Sequence, residues 1–446
     1  MDGDLGNLNG LDKKGSTRVA VVFTCNKPDV PSWPYINFDY GDRAKEIMRK
    51  LNESLPDIEF TKYLFSSIEE VKQVDWKKKN FDGIIVYMIG GMWTGIAEAV
   101  IEMSYPTILV DDLYSGSGGF LRAFSQAKRR GFPVIGVASS NFKDVVEAIG
   151  LFRVVKSLKN SVILDVTDRD ITGISERIKE TLGIQVVHMT SKELNSYFEN
   201  AEEEEAEKWA DKWIKESLKV VEPTREEIVK SAKMYLALKR AMIDNDADAV
   251  TIDCLGLYYG GKLPAYPCLA LFQLNNEGST GVCEADLDST ITQLMMRYLT
   301  GRPGYVSDPV IDTAANQIIY AHCVATNKVY GPDGISNPYI IRSHSEDRKG
   351  ASVQSLMPLG ETVTTVKIKV SEKALCIHQG RTVANIEEDK ACRTKLAVEA
   401  DVQKILENWN MKVDFGWHRV TFYGNWRKHA MNLAALLGMK VIEEDK

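Results

Sequence analysis

The strongest constraint on this chain is a rhythm in its first third, where short apolar, β-branched runs alternate with segments of helix length. The runs fall at residues 18–24 (RVAVVFT), 83–90 (GIIVYMIG), 107–110 (TILV) and 133–138 (PVIGVA). A run that is apolar on both faces suits a strand covered from both sides, the situation of a parallel sheet layered with helices. Helices expected near 40–55, 96–103 and 119–130 supply right-handed crossovers between them. The rhythm resumes at Ser161 (SVILDV) and continues through 183–188 and 249–254. Between these, the acidic run 201–207 reads as a solvated helix face, since like charges at that density resist burial. Thr224 with Glu227 forms a capping box that opens a helix reaching to about residue 243.

From about Gly331 the texture changes. The segment 362–370 (TVTTVKIKV) alternates in period two, 373–377 and 417–423 are strand-like, and a helix closes the chain over 425–437. The 446 residues exceed what one core organises. The expected fold class is therefore α/β: two Rossmann-like parallel-sheet domains, residues 17–158 and 159–330, then a mostly antiparallel β-barrel-like C-terminal domain, 331–446. Residues 1–16, rich in Gly, Asp and Asn, read as a flexible leader and not as a secretory signal.

Charge and cysteine content narrow the function classes. With 55 basic against 62 acidic residues the net charge is −7, which offers no footprint for nucleic acid or an anionic membrane. No run approaches the roughly 20 apolar residues of a membrane helix. Seven scattered cysteines without a CxxC pair suit reduced thiols in a cytoplasm. The glycine-rich stretches 90–95 and 111–119 at expected strand ends could cradle phosphate, but neither matches GxGxxG or GxxxxGK[ST], and tight helix–strand turns explain them as well.

The densest chemistry lies between Cys254 and His344. Glu284 and Asp286 stand in the run GVCEAD before a helix at 289–299, and Asp308 follows a further expected strand, 304–307. In a parallel β–α–β unit, Glu284 and Asp308 would meet at one sheet edge. There they could hold a hard divalent cation, or divide acid and base roles. Each also has a plain structural reading: Glu284 and Asp286 as helix caps, Asp308 before Pro309 as a turn opener. Six histidines are available as further ligands, among them His322, His344 and His418.

The run 274–308, with CEAD, then LTG, then a strand ending in Asp, resembles the L-fucose isomerase and L-arabinose isomerase superfamily, and within it the shorter fucose-isomerase-related branch. The run HRVTFYG at 418–424, followed by LLG at 436–438, matches its C-terminal signature. The resemblance spans about 254–438. It implies an aldose–ketose isomerase that works through a cis-enediol, with Glu284 and Asp308 as acid and base. These two residues and His418 would ligate Mn²⁺, or another divalent cation such as Mg²⁺ or Co²⁺. Substrate contacts would come from His344, Arg342, Asp286, Trp417 and Trp93. The implied assembly is a homotrimer or homohexamer with active sites near subunit interfaces. Two departures stand out. Where the arabinose branch carries a second catalytic glutamate, this chain has 324–327 (VATN), and Trp417 precedes His418 where the family often has a second histidine. Two other classes stay open: a noncatalytic two-lobed sugar-binding protein and a metal-dependent sugar aldolase.

Overall fold

The computed structural model describes residues 15–446; the leader expected over 1–16 lies, up to residue 14, outside the described residues. The chain forms two compact units. The first comprises the described residues up to Ser157 together with Lys428–Lys440, and the second comprises Leu158–Arg427 and Val441–Lys446.

The first unit is built on β1 (Thr17–Thr24), β2 (Ile58–Phe65), β3 (Gly83–Met88), β4 (Thr107–Asp111) and β5 (Val134–Val137). All pair in parallel, in the order β2-β1-β3-β4-β5. The central β3 is buried along its whole length, as its unbroken apolar run predicts. Trp93 belongs to this unit, exposed, with the Arg122 guanidinium over its ring at 5.3 Å.

The second unit combines a four-stranded sheet, a seven-stranded sheet and a two-stranded hairpin. β6 (Val162–Val166), β7 (Gln185–Met189), β8 (Ala249–Ile252) and β9 (Thr280–Cys283) form a parallel sheet in the order β7-β6-β8-β9. The remaining strands are β10 (Tyr305–Asp312), β11 (Gln317–His322), a small hairpin of β12 (Tyr339–Arg342) and β13 (Ser352–Ser355), then β14 (Thr362–Lys369), β15 (Ala374–Asn385), β16 (Thr394–Glu399), β17 (Arg419–Tyr423) and β18 (Lys440–Glu443), with β10 to β17 paired antiparallel. The larger sheet runs β14-β17-β10-β11-β16-β15-β18, and β14 also pairs with β15. That extra pairing closes six strands into a barrel and removes their free edges, with β18 added outside. The α/β class with a barrel-like antiparallel part is thus what the chain adopts.

One expectation is corrected here. β10 is not the next parallel strand after β9; it lies in the barrel, between β17 and β11. Asp308 therefore sits within an antiparallel strand instead of ending a parallel one.

Candidate metal centre

Asp308 and His418 meet through strand register. β10 and β17 pair antiparallel with Ser307 opposite Arg419. The next step along each strand sets Asp308 opposite His418, and directly opposed residues project from the same face. On the other side of β10, Asp308 is opposite Ala321, so β11 delivers its last residue, His322, to the same end of the barrel. Glu284 arrives from the parallel sheet, as the residue after β9. Both Glu284 and Ala285 have left-handed backbones, φ 65° and 49°, which are costly for residues with a Cβ. Such a turn bends the chain sharply off the strand, and strain of this kind concentrates at functional sites.

The four side chains converge. His418 Nε2 lies 3.5 Å from Glu284 Oε2 and 3.3 Å from Asp308 Oδ1, while His322 Nε2 lies 3.5 Å from Glu284 Oε1. Glu284, His322 and His418 each offer a ligand atom within 4.8 Å of the others. Ligand atoms about 2.1 Å from a shared cation sit roughly 3.0–3.4 Å apart when neighbours in its shell, so the spacings around His418 Nε2 are those of a preformed pocket for one ion. Both imidazoles are buried, and among the described residues neither Nε2 has a hydrogen-bond partner. A buried polar nitrogen left unpaired costs about 1–3 kcal/mol, which a bound cation or substrate oxygen would recover. Asp308 is the open side of the site, with 40% of its side chain exposed.

The two imidazoles are held differently. His418 Nδ1 donates to Asp286 Oδ2 at 2.8 Å, which leaves Nε2 as the lone-pair nitrogen facing the carboxylates. A carboxylate behind a ligating histidine in this way fixes its tautomer and raises its basicity. His322 Nδ1 instead accepts the Cys323 backbone N–H at 3.0 Å, so its neutral ring carries the proton on Nε2. That makes His322 a donor toward Glu284 or a substrate oxygen, and leaves Glu284, Asp308 and His418 as the ligand set suited to a hard cation. Burial alone would lower the tendency of the His418 ring to hold a proton, but the Asp286 hydrogen bond and the nearby Asp308 carboxylate outweigh it and raise the ring's pKa. The pocket favours positive charge.

Asp286 is a junction. It caps the helix Leu287–Thr300, with Oδ1 accepting the Ser289 N–H at 2.9 Å, and its Oδ2 accepts from Ser289 Oγ, His418 Nδ1 and Lys367 Nζ. Burial pushes this carboxyl up, yet the adjacent Lys367 ammonium and His418 hold it well below the usual carboxylate range. Its acceptor positions are filled by protein donors, where the sequence analysis set it among the sugar contacts.

The other expected contacts are placed as follows. Trp417 is exposed beside the site, its ring edge-on to His418 at 5.8 Å. Arg342 spends its guanidinium on Glu222, at 2.5–2.9 Å, and on Gln354. His344 is buried and stacked on Tyr266 at 4.3 Å, grouped with Cys268 and Cys323 and not with Glu284. The sequence offered His322 among the available histidines without assigning it to the site, and gave no pointer to Lys367. The one signal for His322 was its place at the end of an alternating run, QIIYAHC.

No protein-family profile matches the chain. It is 25% identical over 203 residues to proteins named sulfoquinovose isomerase from Priestia aryabhattai and from Priestia megaterium. The alignment covers 44% of this chain and 44% of each relative, so the match spans less than half of either. Among solved structures, a putative two-component system response regulator/GGDEF domain protein aligns with 64% of this chain and 98% of its own, at 12% identity and a TM-score of 0.27. That score is too low to bear on the fold. Among the described residues, no helix is long and apolar enough to cross a membrane.

Proposed function

We propose that this chain is an aldose–ketose isomerase acting on a sugar, with a divalent cation, Mn²⁺ in the first instance, held by Glu284, Asp308 and His418. The observation that carries the reading is the unpaired, buried Nε2 of His418 between two carboxylates. The partial similarity to sulfoquinovose isomerases, and the resemblance of 254–438 to the fucose-isomerase branch, support the same reaction class. A cation bound there would polarise the substrate carbonyl as a Lewis acid.

The side chains supply the proton chemistry. Isomerisation moves a proton from C2 to C1 through a cis-enediol, and another from the C2 oxygen to the C1 oxygen. Glu284 is the more sheltered carboxylate, 24% exposed against 40% for Asp308, and is assigned to the carbon acid, with its proton exchanging with solvent during the life of the enediol. Asp308 and the Nε2–H of His322 then serve the oxygen-to-oxygen transfer. Trp417 offers an exposed ring face at the rim for the sugar. A cytoplasmic homotrimer or homohexamer belongs to this reading, and sedimentation as a monomer would count against the assembly.

The test is incubation of the Mn²⁺-loaded protein in D₂O with pentoses, hexoses, 6-deoxyhexoses and a 6-sulfonated hexose, followed by NMR. Interconversion with deuterium entering at C1 or C2 is the expected result. Binding of a sugar without turnover would instead mark a noncatalytic receptor, and a change in carbon number an aldolase.

A further inference from the structure

The cysteines that look scattered in the sequence are gathered by the fold. Cys268 Sγ lies 3.5 Å from Cys323 Sγ. The donors come from separate elements. Cys268 is the first residue of the helix Cys268–Asn276, Cys323 follows β11, and His344 follows β12. A ring nitrogen of His344 lies within 4.8 Å of both the Cys268 and the Cys323 sulfur. The His344 ring is only 3% exposed, and among the described residues its Nδ1 has no hydrogen-bond partner.

Thiols alone pack well as small hydrophobes and would call for no ligand. The buried imidazole in their midst does not, since an unpaired ring nitrogen carries a desolvation cost. The spacing is also that of a metal site. Two thiolates on a tetrahedral zinc with bonds near 2.3 Å are about 3.7 Å apart, within a few tenths of the separation here.

We propose that Cys268, Cys323 and His344 ligate a zinc-class ion, at a site separate from the carboxylate site proposed for the hard cation. On binding, the two thiols release their protons to solvent and the imidazole gives a lone pair, so no oxidant or reductant is involved. Donor softness sorts the two ions: sulfur selects zinc or a similar soft ion, and oxygen selects manganese or magnesium. The thiol site also has a mechanical role. Cys323 donates its backbone N–H to His322 Nδ1, so fixing the Cys323 sulfur fixes the tautomer and aim of His322.

The experiment uses the full chain purified under reducing conditions, with Glu284→Gln introduced to disable the carboxylate site. Metal analysis after chelator dialysis should find zinc retained. Replacement by Co²⁺ should give the intense sulfur-to-cobalt charge-transfer absorption of thiolate ligation. Cys268→Ser should abolish that absorption while circular dichroism shows a folded protein. If Cys268→Ser does not fold, His344→Gln should release the ion to chelator where the parent retains it. Three results would overturn the site: no retained zinc, a cobalt spectrum without charge transfer, or a Cys268–Cys323 disulfide in a non-reduced peptide map. Because the parent variant lacks Glu284, none of these readouts depends on isomerase activity.

Discussion

His418 is aimed by Asp286: the Nδ1–H of the imidazole donates to Asp286 Oδ2 at 2.8 Å, and the same oxygen holds Lys367 Nζ at 2.6 Å. One carboxylate therefore caps a helix, neutralises a buried lysine and orients the histidine proposed to ligate the cation. Its position, two residues after Glu284, couples both ends of the candidate site to one short turn.

Asp286→Asn isolates the charge from the shape. Asparagine caps helices as well as aspartate does, so the helix Leu287–Thr300 should persist. The tautomer of His418 loses its anionic anchor, and metal affinity should fall about 10–100-fold by titration calorimetry. Lys367, with a side chain 2% exposed, loses its counter-charge, so the variant should also lose a few kcal/mol of stability. Adding Lys367→Met should restore much of the stability without restoring the affinity. Recovery of both would contradict an orienting role for Asp286.

Glu284→Gln and Asp308→Asn keep shape but remove the bases. Each should reduce kcat by about 10²–10⁴, the usual worth of a positioned acid or base. The two should separate in deuterium wash-in, with Glu284→Gln suppressing exchange at C2 more than Asp308→Asn does. Equal exchange in both variants would reverse or merge the roles given to them.

Much of this was legible where local pattern and final environment agree. The runs of β1, β3 and β4 are apolar on both faces because helices cover both faces, so sequence and fold say the same thing. The strand Ile58–Phe65 escaped notice because β2 is an edge strand: its middle reads EFTKYL, half exposed, without an apolar run. The partner sheet of β10 was equally hidden, since a short strand before Asp308 carries no mark of the neighbours it will choose. Lys367 reads as a solvent-facing residue of an alternating strand, and only the carboxylate 81 positions upstream explains its burial. The cluster of two thiols and an imidazole joins positions 268, 323 and 344, separations that no local window contains.

Ala285→Gly probes the strained turn behind Glu284. A left-handed alanine costs about 1–2 kcal/mol, and glycine adds back about 0.5–1 kcal/mol of unfolded-state freedom. Stability, read by thermal unfolding, should thus stay unchanged or rise by up to about 1.5 kcal/mol. Activity should fall severalfold, since a freer turn holds the Glu284 carboxylate less firmly. A variant that is both more stable and fully active would show that the strain serves no positioning purpose.

The buried ion network at the end of the chain should set the acid limit of the second unit. Glu444, 1% exposed, accepts from Arg419 Nη2 at 2.7 Å and lies 2.8 Å from His378 Nδ1. Burial raises its carboxyl, but the His378 hydrogen bond and the Arg419 charge prevail and bring it from the ordinary 4.5 to about 2. A depressed carboxyl contributes stability that is fully present above the unfolded-state value and is lost as pH falls through the folded one. The contribution, about 3 kcal/mol from that shift, should thus be complete above about pH 5 and fade toward pH 2. Glu444→Gln removes it at every pH and leaves the wholly buried Arg419 without its carboxylate, at a cost of about 3–5 kcal/mol at neutrality. Urea unfolding of both proteins from pH 7 to pH 2 should show their difference shrinking as the solution is acidified. A gap that stays constant with pH would remove Glu444 from the acid response. Because Arg419 also donates to the His418 carbonyl at 3.0 Å, the same variant should loosen the start of β17 and weaken metal binding at His418.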